Sequence, residues 1–269
     1  MTRPGFEDRR LSFGAEAAAY AEHRPGYPDE AVAWVLGGAT RDVREVADVG
    51  AGAGALTAAL VRRGLDVTAY DADGQMLAEL ERRVPGVPTR VAPAESLPLG
   101  DSAVDALLVA QAWHWFDKPA AATEFVRVVR PGGVIGLLWN VRDSRVPWMG
   151  ELSDLIDGED SMRASRTDAL AEIESVHPEV ESRDFSHTVA MTPERLVGLL
   201  STFSYVRLRP DADTVYAALR ELLATHPGTA GHASLDVPYV CATYRVPRRG
   251  AALPTVRRSW RRRAGGPAG

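Results

Sequence analysis

The sequence predicts an α/β fold in which a buried, mostly parallel sheet is covered by helices. Three observations carry that prediction. Short apolar, β-branched runs alternate with amphipathic stretches through the first half of the chain. The runs are apolar on successive residues, as strands covered on both faces must be. A glycine-rich turn, Gly50-Ala51-Gly52-Ala53-Gly54, leaves the first run and opens the first amphipathic stretch.

In chain order, two helices are expected before the first strand, at residues 14–23 and Asp29–Leu36, separated by the turn Arg24-Pro25-Gly26-Tyr27-Pro28. Residues 1–44 then form an N-terminal helical cap. Five strands follow, at Glu45–Val49, 65–70, 87–92, Val104–Ala110 and 134–139. Helices are predicted between them at 55–63, 74–84 and 120–129, where Met76, Leu77, Leu80 and Val84, and then Phe125, Val128 and Val129, recur at helical spacing. Arg130-Pro131-Gly132-Gly133 is expected to end the third of these before the fifth strand. Beyond it the alternation breaks into helical segments at 149–156, 167–176, Pro193–Ser201 and 212–224, with 185–191 and 237–246 as added strands. One unit thus spans 45–246. An Arg-rich tail at 247–269 is expected to be disordered and dispensable.

With 269 residues, 45% of them apolar, the chain can bury one sizeable core. No apolar run approaches the ~18 residues of a membrane helix. The opening MTRPGFEDRRLSFG places charges where a signal peptide needs its apolar stretch, and the single cysteine, Cys241, can form no internal disulfide, so a reducing cytoplasm is expected. One cysteine and six histidines without paired spacing imply no metal. The net charge of −5 is uneven: residues 245–269 hold eight arginines and no acid, while the preceding 244 carry 23 basic and 36 acidic side chains, a balance of −13. Nucleic-acid binding through the basic tail is the weakest reading, because the body is acidic and Trp260 is the tail's one stacking residue. Lys118 is the only lysine, a usage that reads as coding bias.

Glycines suit residues 50, 52 and 54 because a strand turning sharply into a helix needs permissive backbone angles, and because a ligand can touch the backbone only where no Cβ intervenes. The turn also aims helix N–H groups at a ligand. Asp71 follows the second strand, 21 residues after Gly50, where a carboxylate can accept from the hydroxyls of a ribose. Together they imply a nucleoside ligand. Gly50, Gly52 and Ala55 also satisfy the dinucleotide fingerprint, which keeps an NAD(P)-dependent oxidoreductase as the alternative.

More segments add to these: Tyr20 to Pro28, Asp48 to Gly54, Ala69-Tyr70-Asp71, Ala94-Glu95-Ser96-Leu97-Pro98, Ala110-Gln111-Ala112-Trp113-His114-Trp115-Phe116, and Arg127 to Gly133. In this order they resemble class I S-adenosylmethionine-dependent methyltransferases, in the small-molecule branch that includes the trans-aconitate and ubiquinone-biosynthesis types. The resemblance covers residues 12 to about 139 well and continues more weakly to 246. It implies a Rossmann-like, mostly parallel seven-stranded sheet with helices on both faces, a helical cap and a helical insertion after strand five. It also implies methyl transfer from S-adenosyl-L-methionine to a small-molecule acceptor, a carboxylate, hydroxyl or activated carbon. Carried over residue by residue, Asp48, Gly50, Ala51, Gly52 and Gly54 would hold the methionine part, Asp71 the ribose, and Ala72, Ala94 and Glu95 the adenine. Ala110 and Gln111 would sit beside the sulfonium, and Tyr20 and Arg24 would reach the cofactor's carboxylate or cap the pocket. Pro93 departs from the pattern, standing where many relatives carry an aspartate for the adenine amino group.

His114, just beyond the fourth strand, is the candidate general base, with an unperturbed pKa near neutrality. Trp113 and Trp115 are candidates for the substrate pocket wall, since indole faces attract a sulfonium or line an apolar site. His187, from a later segment that could cover the pocket, is a third candidate to meet substrate.

Overall fold

The computed structural model describes residues 25–156, 179–201, 203–207 and 209–249. The expected helices at 14–23 and 167–176 lie outside these residues, as do Tyr20 and Arg24. In chain order the elements are α1 (Asp29–Leu36), β1 (Glu45–Val49), α2 (Ala55–Arg62), β2 (Asp66–Asp71), α3 (Gly74–Arg83), β3 (Thr89–Val91) and β4 (Val104–Ala110). A single 3-10 turn (Trp113–Trp115) and α4 (Lys118–Val128) lead to β5 (Val129–Arg142). Then come α5 (Pro147–Ile156), β6 (Glu181–Met191), α6 (Pro193–Ser201), α7 (Ser204–Arg207), α8 (Ala212–Thr225) and β7 (Leu235–Pro247).

The seven strands form one sheet in the order β3-β2-β1-β4-β5-β7-β6. From β3 to β5 every pairing is parallel, and β7 runs antiparallel to both β5 and β6. The connections change direction between β1 and β4. That switch leaves a crevice at the carboxyl ends of these two strands, where open α/β sheets bind ligands.

Alternate strand residues feed opposite faces. Ala47, Leu107 and Leu137 join Trp113, Phe125 and Trp139 in one cluster, while Val46, Leu108 and Leu138 join Val32, Val35 and Leu60 in another. The helical insertion makes a third cluster, in which Met149, Leu152, Leu196 and Leu219 cover Val237 and Tyr239 of β7. The approach of α1 to the sheet is possible only because residue 136 is glycine: a Cβ there would lie 2.2 Å from Val35 Cγ1. Arg245 of β7 then fastens α1, its guanidinium lying 4.2 Å from the Trp34 ring centroid, donating to the Trp34 carbonyl at 2.6 Å and pairing with Glu181 of β6 at 2.5 Å.

Among the boundaries that differ from the sequence expectation, two have a packing cause. The third helix of the alternating half ends at Val128, and Val129 already pairs with Val104, so Pro131-Gly132-Gly133 forms an irregularity inside β5 before pairing resumes at Val134 with Ala106. Gly132 holds φ +83 there, and a Cβ on Gly133 would collide with the Asp105 carbonyl. The second difference is at the tail. Pro247 closes β7 against Val134, the Arg248 carbonyl accepts from Gly132 N–H at 2.6 Å, Arg248 N–H donates to Gly133 at 2.8 Å, and its Nε donates to the Val126 carbonyl at 2.9 Å. Residues 247 and 248 therefore extend the sheet, partnering Gly132 N–H and the Gly133 carbonyl, while Thr40 N–H takes the Gly132 carbonyl at 2.8 Å.

Two truncations should separate accordingly. Deleting from residue 250 onward retains every one of these bonds and should leave the melting temperature unchanged. Deleting from Pro247 onward should cost about 2–4 kcal/mol, the sum of three hydrogen bonds, read as a fall of several degrees by differential scanning calorimetry.

Candidate functional site

The turn that leaves β1 holds its three glycines in the left-handed region, with φ of +68 at Gly50, +54 at Gly52 and +87 at Gly54. Their neighbours differ. A Cβ on Gly50 would lie 2.5 Å from Ala112 Cβ, and one on Gly54 would lie 2.8 Å from Leu80 Cγ, so these two seat the turn against the protein. Gly52 meets only Met76 Cε at 3.4 Å and lines the cavity. Gly50 and Ala51 N–H groups donate to the Tyr70 carbonyl at 2.8 and 3.0 Å, and Gly54, at the head of α2, has no side-chain cap above it.

Two carboxylates flank the turn. Asp71, at the end of β2, accepts from Gly52 N–H at 2.8 Å and from Asp73 N–H at 2.9 Å, which ties the turn to the neighbouring strand. Burial raises its pKa against these donors. Asp48, at the end of β1, is 0% exposed. Thr57 Oγ1 donates to its Oδ2 at 2.6 Å, while Oδ1 is buried without a hydrogen-bond partner among the described residues. Burial, with a smaller push from Asp71, raises Asp48 to about 7. Asp105 shows what a satisfied carboxylate looks like in the same fold. Burial opposes its charge too, but the Glu45 and Arg44 N–H groups and the Arg130 guanidinium outweigh it and hold its pKa below the usual value.

Around the turn the cavity encloses about 1220 Å³, its open mouth included. Asp48, Gly50, Ala51, Gly52, Asp71, Ala72, Ala94, Glu95, Ala110 and Gln111 all line it, as does Trp115. Gly54 stands one residue behind, between lining Ala53 and Ala55. Glu95 is also engaged elsewhere, accepting from Asp117 N–H at 2.7 Å, and Pro93 lines the wall beside it. Gln111 adopts φ +58, a strained value for a residue with a side chain, and is held by its N–H on the Leu138 carbonyl at 2.9 Å and its Nε2 on the Asn140 carbonyl at 2.8 Å.

The tryptophan-rich segment corrects two expectations. Three residues of a 3-10 turn point in three directions. Trp113 takes the core, 3% exposed against Phe116 and Phe125, so it is a packing residue and not a wall of the substrate pocket. Trp115 takes the cavity. His114 is left half-buried beside Trp115, ring centroids 4.8 Å apart, and does not line the cavity, which removes the geometric support for its role as base. His187 does not line it either, but its Nε2 lies 3.0 Å from Oδ1 of Asn140, which does.

Several lining residues were not singled out from the sequence: Pro25, Tyr27, Met76, Phe116 and Asn140. Tyr27 and Phe116 fall inside matched segments and could have been found there, whereas Asn140 sits past the fifth apolar run with no motif around it. Two pleat positions on from Asn140, Arg142 is 5% exposed. Its Nε lies 3.4 Å from Ser153 Oγ, its guanidinium is 5.7 Å from the Phe203 ring, and its Nη2 is buried without a hydrogen-bond partner among the described residues.

The raised Asp48 pKa has a sign that can be checked in the unliganded protein. A carboxyl whose folded pKa exceeds its unfolded one costs stability as pH rises from about 4 to about 7. Asp48→Asn cannot ionise, so its stability relative to wild type should improve across that window, by up to ~1.4 kcal/mol per pH unit, and level off above it. Urea unfolding at pH 4, 5.5 and 7 measures the trend; a pH-independent difference would contradict it.

Comparison with known proteins agrees with this geometry. A family model described as a methyltransferase domain matches residues 47–137, from β1 into β5. An uncharacterized methyltransferase of Mycobacterium tuberculosis is 42% identical over 243 residues, spanning 89% of this chain and 96% of that protein. A solved structure described as a type II methyltransferase of Anaeromyxobacter dehalogenans is similar with a TM-score of 0.64 at 25% identity, over 85% of this chain and 99% of that one. The fold is shared by a phosphoethanolamine N-methyltransferase of Haemonchus contortus, solved with phosphomonomethylethanolamine and S-adenosylhomocysteine, at a TM-score of 0.54 and 16% identity over 92% of this chain and 61% of that one. With its glycine turn, its two carboxylates and a relative that matches nearly end to end, the chain belongs to the class I S-adenosylmethionine-dependent methyltransferases.

Proposed function

We propose that S-adenosylmethionine binds along the glycine turn with its ammonium on Asp48, its ribose on Asp71 and its adenine between Ala72 and the Ala94-Glu95 pair, and that a small acidic acceptor is methylated beside Gln111. One observation carries the reading: the buried Asp48 carboxylate belongs to the lining of a cavity floored by backbone, and one of its oxygens has no hydrogen-bond partner among the described residues. A cation satisfies that oxygen. The same charge opposes the dinucleotide alternative, because a pyrophosphate on this turn would lie against two carboxylates in a poorly solvated site.

When bound, the cofactor supplies an electrophilic methyl group whose sulfur loses positive charge as the methyl leaves. The protein's task is therefore alignment and exclusion of water, which can account for ~7–11 kcal/mol of the barrier. Gln111 is suited to the first, being fixed at a strained angle by two hydrogen bonds at the sulfonium end. Tyr27, Trp115 and Phe116 are suited to the second. No base is assigned, and an ionised carboxylate acceptor would need none.

The acidic character of the acceptor is supported by Arg142. A buried guanidinium whose Nη2 has no partner among the described residues is costly unless an anion completes it; Arg142 does not itself line the cavity but stands two residues beyond Asn140, which does. We place the reaction in the cytoplasm, a reducing compartment that suits a sequence whose single cysteine can form no internal disulfide; among the described residues no helix is long and apolar enough to cross a membrane.

Isothermal titration tests the cofactor assignment. S-adenosylhomocysteine should bind and NAD should not. Asp71→Ala should weaken binding about 10–100-fold, the worth of a charge-assisted hydrogen bond or two. Gly52→Val should weaken it further, by adding a side chain at φ +54 where ligand meets backbone. Unchanged affinity in both variants would contradict the placement. A metabolite pool incubated with labelled methyl donor should yield label on the acidic fraction, and label confined to neutral or basic acceptors would contradict the reading of Arg142.

A further inference from the structure

We infer that His187 is a positioning residue for the cavity: through the Asn140 side-chain amide it sets the Pro25–Tyr27 wall. The inference rests on the reading of that cavity as the cofactor site.

Asn140 is 4% exposed and joins three segments that are far apart in the chain. Its Nδ2 donates to the Gly26 carbonyl at 2.9 Å, its own carbonyl accepts from Gln111 Nε2 at 2.8 Å, and its Oδ1 faces His187 Nε2 at 3.0 Å. The orientation of the amide follows from chemistry. A carbonyl can only accept, so the nitrogen side of the amide must face Gly26 and the oxygen side must face His187. Because Oδ1 can only accept, His187 must carry a proton on Nε2.

The surroundings of His187 hold that arrangement. His187 on β6 stands opposite Tyr239 on β7, which in turn stands opposite Arg142 on β5. Directly opposed residues share a face of the sheet, and the imidazole stacks on the Tyr239 ring with centroids 5.7 Å apart and planes at 29°. Partial burial lowers the His187 pKa, so the ring is a neutral, single-tautomer donor at pH 7. Replacing the donor by an acceptor would invert the Asn140 amide. Its oxygen would then face the Gly26 carbonyl, lone pair against lone pair, and the wall would lose its anchor.

Glutamine and glutamate fill nearly the same volume at residue 187 but differ in what they offer Asn140, so they separate positioning from packing. In the full chain, His187→Gln should bind S-adenosylhomocysteine within threefold of wild type by calorimetry, and His187→Glu at least tenfold more weakly. Should His187→Glu fail to fold, Asn140→Asp, which keeps the acceptor toward His187 and removes the donor toward Gly26, should show the same loss. Independently of any ligand, nitrogen-15 spectra of the unliganded wild type should show His187 as the Nε2–H tautomer. Equal effects of Gln and Glu, no effect of either, or an Nδ1–H tautomer would overturn the inference. A wild type that shows the Nε2–H tautomer but binds no S-adenosylhomocysteine would overturn the positioning role by way of the cofactor reading, with the hydrogen bond itself standing.

Discussion

Burying a carboxylate requires that something replace the water it gives up, and Asp48 has replaced it only by half. Thr57, one turn into α2, satisfies one oxygen, and that bond fixes the angle at which the helix leaves β1. The other oxygen has no partner among the described residues. The sharpness of the glycine turn follows from the same constraint: α2 has to come back close enough for Thr57 to reach a residue on the strand it has just left. Asp105, at the opposite end of β4, receives two backbone N–H groups and two arginines, Arg41 and Arg130. The difference between the two aspartates is the difference between a finished bond network and one completed by a ligand.

The rest of the cavity depends on where the sheet changes direction. The switch between β1 and β4 puts the glycine turn opposite Gln111, and β5, running past β4, extends the wall by the two residues that carry Asn140 beyond Leu138. The antiparallel pair β7 and β6 then supports that extension from the far side, with Cys241 opposite Asn140 and Tyr239 opposite Arg142. The proposed cofactor end and acceptor end are thus built by different parts of the fold, the first by parallel βα units and the second by the antiparallel addition and the segment around Gly26.

Much of the first part was legible in the sequence. β1 and β4 have the bounds their apolar runs predict; the glycine turn and Asp71, related by spacing, and the Ala94-Glu95 pair, which the resemblance singled out, all line one cavity. These features are local: each is written in a few consecutive residues. What escaped is nonlocal. The irregularity at Pro131 to Gly133 reads as a plain helix stop until Arg248 is seen to pair with it. Trp113 and Trp115 look alike in sequence, and only the 3-10 turn decides that one is core and the other wall. Asn140 has significance only through Gly26, Gln111 and His187, partners 114, 29 and 47 residues away. Thr57 carries no signal beyond its place in a helix, though a hydroxyl nine residues from Asp48 was there to be read.

The central claim is that the open oxygen of Asp48 receives the ammonium of the cofactor, and proton counting tests it most directly. An ionised carboxylate is required to pair with an ammonium, and Asp48 titrates near 7 in the unliganded chain. Calorimetric titration of S-adenosylhomocysteine at pH 6 in buffers of different ionisation enthalpy should therefore show release of close to one proton per site, falling toward none at pH 8, and Asp48→Asn should show none at either pH. Binding at pH 6 without proton release in the wild type would contradict the account.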